Sequence, residues 1–121
     1  MKWILLFFCG ALSSCTTPIS REERLMDAID REVRLPATAR AIDEYARYYS
    51  HGAEGQVVAV FLLPLTPRET VTMDREMAAG KRRWMAKEAD LPWISDGLCD
   101  QITVRYEIAS ERFLSVRCNG S

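Results

Sequence analysis

A nearly unbroken apolar run lies in the middle of the chain and reads Gln56-Val-Val-Ala-Val-Phe-Leu-Leu63. Because it is rich in β-branched residues and lacks polar alternation, it predicts a strand that is buried on both faces. Such a strand needs partners, and the nearest candidate is the tyrosine-rich segment across the preceding glycine-containing turn. The sequence therefore predicts a hairpin of residues 45–50 and 56–63, preceded by a short helix near 37–43. One continuous helix over 37–49 is the alternative.

A second hairpin is predicted at the C-terminal end. Apolar and polar residues alternate from Ile102 to Ile108, and a turn at 109–111 leads back into a second strand, 112–118. This period of two is typical of strands with one face on the core.

The pairing of this hairpin follows from its apolar face. Opposed residues of an antiparallel pair point to the same face, which pairs Tyr106 with Leu114 and Val104 with Val116. A register two residues away is the alternative.

An amphipathic helix is predicted over residues 20–34. Ser20 and Glu23 form a capping-box pattern at its start, and Leu35-Pro36 ends it. The apolar positions with helical spacing are Leu25, Met26, Ile29 and Val33. The charged positions expected to be solvated are Arg21, Glu22, Asp27, Asp30, Arg31 and Arg34.

These elements together predict an α+β fold. The N-terminal amphipathic helix packs on an antiparallel sheet of about four or five strands. Residues 81–86 are a candidate for a further strand.

The first fifteen residues have the composition of an export signal. Lys2 is followed by an apolar run from Trp3 to Leu12 and then by small residues. The run is well below the roughly 20 residues that a membrane-spanning helix needs. The sequence therefore predicts a leader that is removed.

The four residues Leu12-Ser13-Ser14-Cys15 resemble the lipobox of bacterial lipoproteins. The resemblance implies a signal peptide of residues 1–14, palmitate-type acylation of Cys15, and a tether of residues 15–19 before a single domain of residues 20–121. Because Thr16 stands where Asp would favour retention in the inner membrane, it also implies the outer membrane, with the domain facing the periplasm.

The remaining cysteines predict a disulfide. An exported chain meets an oxidising compartment, and the C-terminal hairpin brings Cys118 close to Cys99. The bridge closes a loop of about 20 residues, which stabilises the fold by roughly 3 kcal/mol. It would fix the open end of the hairpin. The same region, with Asp96-Gly-Leu-Cys99, Ile102-Thr-Val-Arg-Tyr106 and Cys118-Asn-Gly120, resembles small uncharacterised exported proteins of Gram-negative bacteria, a resemblance that implies no activity.

Charge and composition exclude several function classes. The chain has 16 basic and 17 acidic side chains and a formal net charge of −1, and loss of Lys2 lowers the charge to about −2. This balance argues against nucleic-acid binding. With one histidine and no glycine-rich phosphate loop, no metal or cofactor is expected.

The candidate site residues are few. Arg82 and Arg83 with Trp84 and Trp93 could form a binding surface for lipid headgroups or a partner; a charged edge strand with buried aromatics is the favoured alternative. The sole histidine, His51, falls in a predicted surface turn.

The function that these features favour is non-catalytic. We expect a lipid-anchored envelope protein that is held at the membrane by its anchor and binds an envelope protein partner. One alternative is an inhibitor of a cell-wall-degrading enzyme that inserts a loop such as 91–97. Another is a periplasmic enzyme that uses His51 or a carboxylate pair such as Glu22 with Glu23 or Asp27 with Asp30.

Overall fold

The computed structural model describes residues 18–64, 77–92 and 98–119. These residues form one α-helix, five strands and two short 3-10 helices. The elements are α1 (Arg21–Glu32), β1 (Ala46–His51), β2 (Gln56–Leu62), β3 (Arg82–Trp84), β4 (Leu98–Glu107) and β5 (Arg112–Asn119), with 3-10 helices at Ile42–Glu44 and Glu88–Asp90. The sheet order is β3-β1-β2-β4-β5, and the predicted α+β class is confirmed.

The sheet is mixed, so the expectation of a wholly antiparallel sheet was wrong for one strand. Strands β1, β2, β4 and β5 pair antiparallel, whereas β3 runs parallel to β1. Strand β2 ends beside the start of β1, where Leu62 pairs with Ala46. Arg82 of β3 pairs with Arg47, also near the start of β1, and Trp84 pairs with Tyr49 further along, so β3 runs in the same direction as β1.

The first hairpin is confirmed, but the short helix before it is not. Residues 37–41 form a turn followed by irregular backbone, and only Ile42–Glu44 adopts a 3-10 helix. Tyr45 explains the difference: its hydroxyl accepts a hydrogen bond from the Arg40 amide and donates one to the Cys99 carbonyl, contacts that hold the segment against β4. The alternative helix over 37–49 was also wrong, since β1 occupies its second half.

The second hairpin differs from its predicted register at one position. Val104 pairs with Val116 as expected, but Tyr106 pairs with Phe113 and not with Leu114. A register shift between Arg105 and Tyr106 inserts Leu114 as an extra residue, as in a β-bulge. Leu114 is therefore exposed, and Phe113 packs against Tyr106 with ring centroids 5.0 Å apart.

Helix α1 starts where the capping box placed it. The Ser20 hydroxyl accepts from the Glu23 amide at 3.0 Å. Its apolar side packs on one face of the sheet. The fully or nearly buried residues at this interface are Met26, Ile29, Tyr45, Tyr49, Val57, Ala59, Phe61, Ile102, Val104 and Tyr106. Leu25 and Val33 pack against them, so the predicted helix face is confirmed.

The opposite face of the sheet is also covered in part. Ala46, Tyr48 and Leu62 are buried there, with Met85 and Leu91 packed against them. Strand β2 is thus buried on both sides, as its composition predicts.

Both sheet edges carry features that oppose strand addition. Strand β3 has three residues and is flanked by exposed Lys81. Strand β5 carries the bulge and exposed Arg112 and Arg117. Short length, bulges and charge protect edge strands from pairing with other chains.

None of the helices in residues 18–64, 77–92 and 98–119 is both long and apolar enough to cross a bilayer.

Candidate functional site

The charged residues of α1 separate onto two sides of the helix. Glu23, Asp27 and Asp30 follow one another at spacings of four and three residues and form the acidic row. Arg21, Arg24 and Arg31 lie on another side and form the basic row, with Ala28 between the last two. Residues three, four or seven apart share a helix face. The acidic row faces β1 and β3, whereas the basic row borders the β4–β5 hairpin.

Asp30 is the centre of a polar cluster under the helix. The Tyr49 hydroxyl donates to its Oδ1 atom. Its Oδ2 atom accepts from Arg47 Nη2 at 3.1 Å and from Arg82 Nη1 at 2.8 Å. Its side chain is only 16% exposed, so the expectation that Asp30 is solvated was wrong. The helical spacing predicted the side of the helix on which Asp30 lies. It did not predict that two arginines and a tyrosine of the sheet contact Asp30 there.

Arg82 connects the whole acidic row to the sheet. Besides Asp30, its Nη2 atom donates to Asp27 Oδ1 at 2.6 Å and to Glu23 Oε1 at 3.1 Å. Asp27 is about half exposed, so it too is less solvated than expected. Charge-assisted hydrogen bonds of this kind are stronger than neutral ones and fix geometry.

The surroundings of this cluster shift the pKa values of two of its members, Tyr49 and Arg82. Burial raises the pKa of Tyr49 well above its usual value, and the negative charge of Asp30 raises it further, against an opposing effect of Arg47. Burial alone would lower the pKa of Arg82, but hydrogen bonds to Asp27 and Asp30 outweigh this and raise it. Tyr49 therefore stays neutral and Arg82 stays charged.

The contacts of this cluster are those of a structural link between α1 and the sheet rather than those of a catalytic centre. Arg47 also donates through Nη1 to the Ile42 carbonyl and through Nε to the Tyr49 hydroxyl. The Asp30 carboxylate thus faces two cations and a hydroxyl donor. A general acid or base needs a carboxylate or imidazole with a pKa near the working pH and access to substrate.

The sequence-predicted surface is divided between the two faces of the sheet. Arg82 and Trp84 pair with Arg47 and Tyr49 on the helix side, whereas Arg83 between them points away. Arg82 is engaged by the acidic row, so it is not free for lipid or partner contact. The favoured alternative, a charged edge strand, matches β3.

Of the two tryptophans in the predicted binding surface, only Trp84 lies within the described residues. Trp84 is half-buried, with its ring 4.9 Å from that of His51. Trp93 lies outside the described residues, as does most of the loop 91–97 on which the inhibitor alternative depends.

His51 is the exposed last residue of β1 rather than a turn residue. Its ring contacts Trp84 edge-on. Within the part of the chain that the structure describes, no hydrogen bond or ion pair joins the His51 ring to a serine or a carboxylate. The tyrosines at 45, 48 and 49 are buried in the core.

The Cys99–Cys118 disulfide is present, as predicted, and lies at the open end of the β4–β5 hairpin. A recess of about 700 Å³ borders it. The lining residues are Pro36, Thr38, Arg40, Leu98, Cys99, Asp100, Val116, Arg117 and Cys118. The Thr38 hydroxyl lies 3.1 Å from Cys99 Sγ, and it must be the donor because a disulfide sulfur has no hydrogen.

Leu98 gives this recess an unusual rim. Its φ of 49° lies in the left-handed region, which non-glycine residues rarely adopt. Leu98 is nevertheless 61% exposed. Strained backbone and exposed apolar surface both cost free energy, and such features gather at binding sites.

The sequence did not indicate this recess. It is assembled from three separate segments, around Pro36, Cys99 and Cys118, and only the disulfide signal pointed to any of them. Positive φ at a leucine has no sequence signature.

Within the described ranges, no group of three His, Cys, Asp or Glu side chains could hold a metal ion.

No family model, curated protein or solved structure matches the chain.

Proposed function

We propose that this chain is a lipid-anchored cell-envelope protein with a non-catalytic binding or structural role. Cys15 carries the lipid, and the α+β body is held at the periplasmic face of the outer membrane. Tethering raises the local concentration of the body for membrane-bound partners without any new contact.

The observation that supports this proposal is the Cys99–Cys118 disulfide. Disulfides persist in secreted and periplasmic proteins and are rare in the cytosol. A bridged pair is what an exported chain would be expected to carry, in agreement with the leader and the lipobox at Leu12–Cys15.

The non-catalytic part of the proposal rests on the charged cluster. The most buried carboxylate described above, Asp30, is ion-paired with Arg47 and Arg82. His51, the only histidine of the chain, is exposed and contacts the Trp84 ring edge-on. These arrangements favour structural roles for the residues that an enzyme would use.

The recess beside the disulfide is the surface that we assign to the partner. Its apolar rim at Leu98 and its exposed Arg117 suit a partner segment with apolar and acidic side chains. Arg40 in the same lining pairs with Glu44 at 3.6 Å, and Asp100 also borders the recess. The disulfide keeps the recess in one shape, which lowers the entropy lost on binding.

The lipid anchor is tested with Cys15→Ser in the producing bacterium, with Cys9→Ser as the matched control inside the leader. Native protein and the Cys9 variant should incorporate radiolabelled palmitate and remain with the membrane fraction. The Cys15 variant should incorporate none. Equal labelling of the Cys15 variant, or recovery of the native chain in the cytosol with reduced thiols, would refute the proposal.

The partner surface is tested by photo-crosslinking from single positions. A photoreactive residue at Leu98 should crosslink the native lipoprotein to one envelope protein, and Arg117→Glu should abolish that product. The same residue at exposed Glu54, at the far end of the first hairpin, should give none. An identical crosslinking pattern from Leu98 and Glu54 would contradict the assignment.

A further inference from the structure

We propose that the basic row of α1 (Arg21, Arg24 and Arg31) docks on anionic phospholipid headgroups, so that the helix lies along the membrane surface. This inference rests on the proposed lipid anchor, because the anchor is what brings the helix to a bilayer. The proposed lipid-contacting surface is therefore the basic row and not Arg82 with Arg83, because Arg82 is bound by carboxylates.

The basic row is exposed and only weakly paired. Arg21, Arg24 and Arg31 are all exposed. Arg24 donates to a neutral acceptor, the Ile19 carbonyl, at 2.9 Å. Arg31 has one carboxylate partner, Glu32, at 3.8 Å, and both side chains are more than half exposed. Arginine is suited to phosphate because its planar guanidinium presents several donors.

The acidic row does not oppose this docking. Its three carboxylates are turned toward Arg82 on the sheet side of the helix. The charge of these three carboxylates is therefore turned toward the sheet, while the three arginines of the basic row stay exposed; Glu22 and Glu32 are the other acidic residues of α1. Glu32 and Glu111 do border the groove of about 300 Å³ beside the basic row, and they set a limit to the net positive charge of that surface.

An exposed apolar residue extends the basic row toward the anchor. Ile19 is 58% exposed and directly precedes the helix cap. An apolar side chain next to arginines is the combination that binds the boundary between headgroups and acyl chains.

The distances allow the anchor and the basic row to reach one bilayer together. Cys15 and Arg21 are six residues apart, which limits their separation to about 20 Å. The row from Arg21 to Arg31 extends about 15 Å along the helix. A lipid on Cys15 therefore holds the start of α1 within a short distance of the headgroups, and the remaining arginines lie in line with it.

The test uses residues 16–121 without leader or lipid. The contacts described above all lie within residues 18–119, so this body is expected to fold alone, which circular dichroism checks. It is mixed with phosphatidylcholine vesicles with and without phosphatidylglycerol, and bound protein is measured by flotation. The charge-reversal variant is Arg21→Glu with Arg24→Glu. The control is Lys81→Glu with Arg83→Glu, which makes the same charge change at the exposed edge strand.

The native body should bind the anionic vesicles, bind neutral vesicles much less, and lose binding as salt rises. Each arginine near an anionic surface strengthens binding about fivefold, so the α1 variant should bind at least about 25-fold more weakly. The control should change much less. Equal weakening by both variants, or binding independent of phosphatidylglycerol, would overturn the inference. Because the body carries no lipid, a negative result here leaves the palmitate test of Cys15 unaffected.

Discussion

Replacing Asp30 by Asn should destabilise the fold more than any other single charge removal on α1. The substitution keeps the side-chain shape but leaves Arg47, whose side chain is only 11% exposed, without its carboxylate. Removing one partner of a buried ion pair costs about 3–5 kcal/mol. Arg82 keeps Asp27 and Glu23, so we expect the lower end, about 3 kcal/mol.

A loss of this size is easily measured. Small domains have free energies of unfolding of about 5–15 kcal/mol, and 3 kcal/mol lowers Tm by roughly 10–20 °C in a domain of this length. Urea unfolding followed by circular dichroism gives the free energy directly. The matched control is Asp27→Asn on the same helix.

The control tests whether the loss of stability depends on the burial of the carboxylate or only on the loss of an ion pair. Asp27 also bonds Arg82, but it is 46% exposed, and exposed pairs contribute about 0–1 kcal/mol. If Asp30→Asn and Asp27→Asn lowered the free energy of unfolding by the same small amount, the cluster around Asp30 would not be a stabilising link between α1 and the sheet.

Further expected outcomes concern the disulfide, the first hairpin and the buried tyrosine. Replacing Cys99 and Cys118 together by alanine should lower the free energy of unfolding by about 3 kcal/mol, and reductant should then have no further effect. Gly52→Ala should cost about 1–3 kcal/mol, because the added methyl overlaps a valine of β2; Gly55→Ala, which meets no atom but has a positive φ, should cost only the backbone strain of about 1–2 kcal/mol. Because folded Tyr49 keeps its proton while the unfolded chain loses it, stability should fall as pH rises above about 10, and Tyr49→Phe should flatten that fall.

Each of these outcomes has a clear contradiction. Reductant-sensitive unfolding of the double-alanine variant would show that its stability depends on other thiols. A Gly52→Ala variant as stable as the native protein would contradict the close approach of Gly52 to Val58. An alkaline stability profile identical in native protein and in Tyr49→Phe, measured by urea unfolding at a series of pH values, would contradict the retained proton.

Periodicity accounts for most of the fold that could be predicted. The apolar positions of α1 and of the strands follow periods of 3.6 and 2, which are local properties of the chain. The run at 56–63 and the Ser20 cap were sufficient to predict β2 and the helix start. Element boundaries agreed to within a few residues, for example Arg21–Glu32 against the predicted 20–34.

The features that were missed depend on contacts between distant residues. The direction of β3 is set by where the chain returns after β2, which periodicity does not contain. The bulge at Leu114 changes the pairing without changing the apolar pattern. The 37–43 segment has helix-forming alanines, but Tyr45 binds it to Cys99, and tertiary contacts override weak local preference.

The candidate site was predicted least well. Arg82 and Asp30 are 52 positions apart and meet only in the folded chain. In the sequence both have the pattern of solvated surface residues, because charge and spacing alone cannot distinguish an exposed side chain from one paired across a helix–sheet interface. The disulfide was the exception, because the oxidising compartment expected for an exported chain and the geometry of the predicted hairpin both pointed to Cys99 and Cys118.

The most direct test of the proposed lipid anchor is mass spectrometry of the N-terminal peptide of the protein isolated from its native membrane. The account predicts a chain that starts at Cys15, with a diacylglycerol on sulfur and an acyl chain on the amino group. An intact leader, or an N-terminal peptide with an unmodified Cys15 thiol, would contradict it.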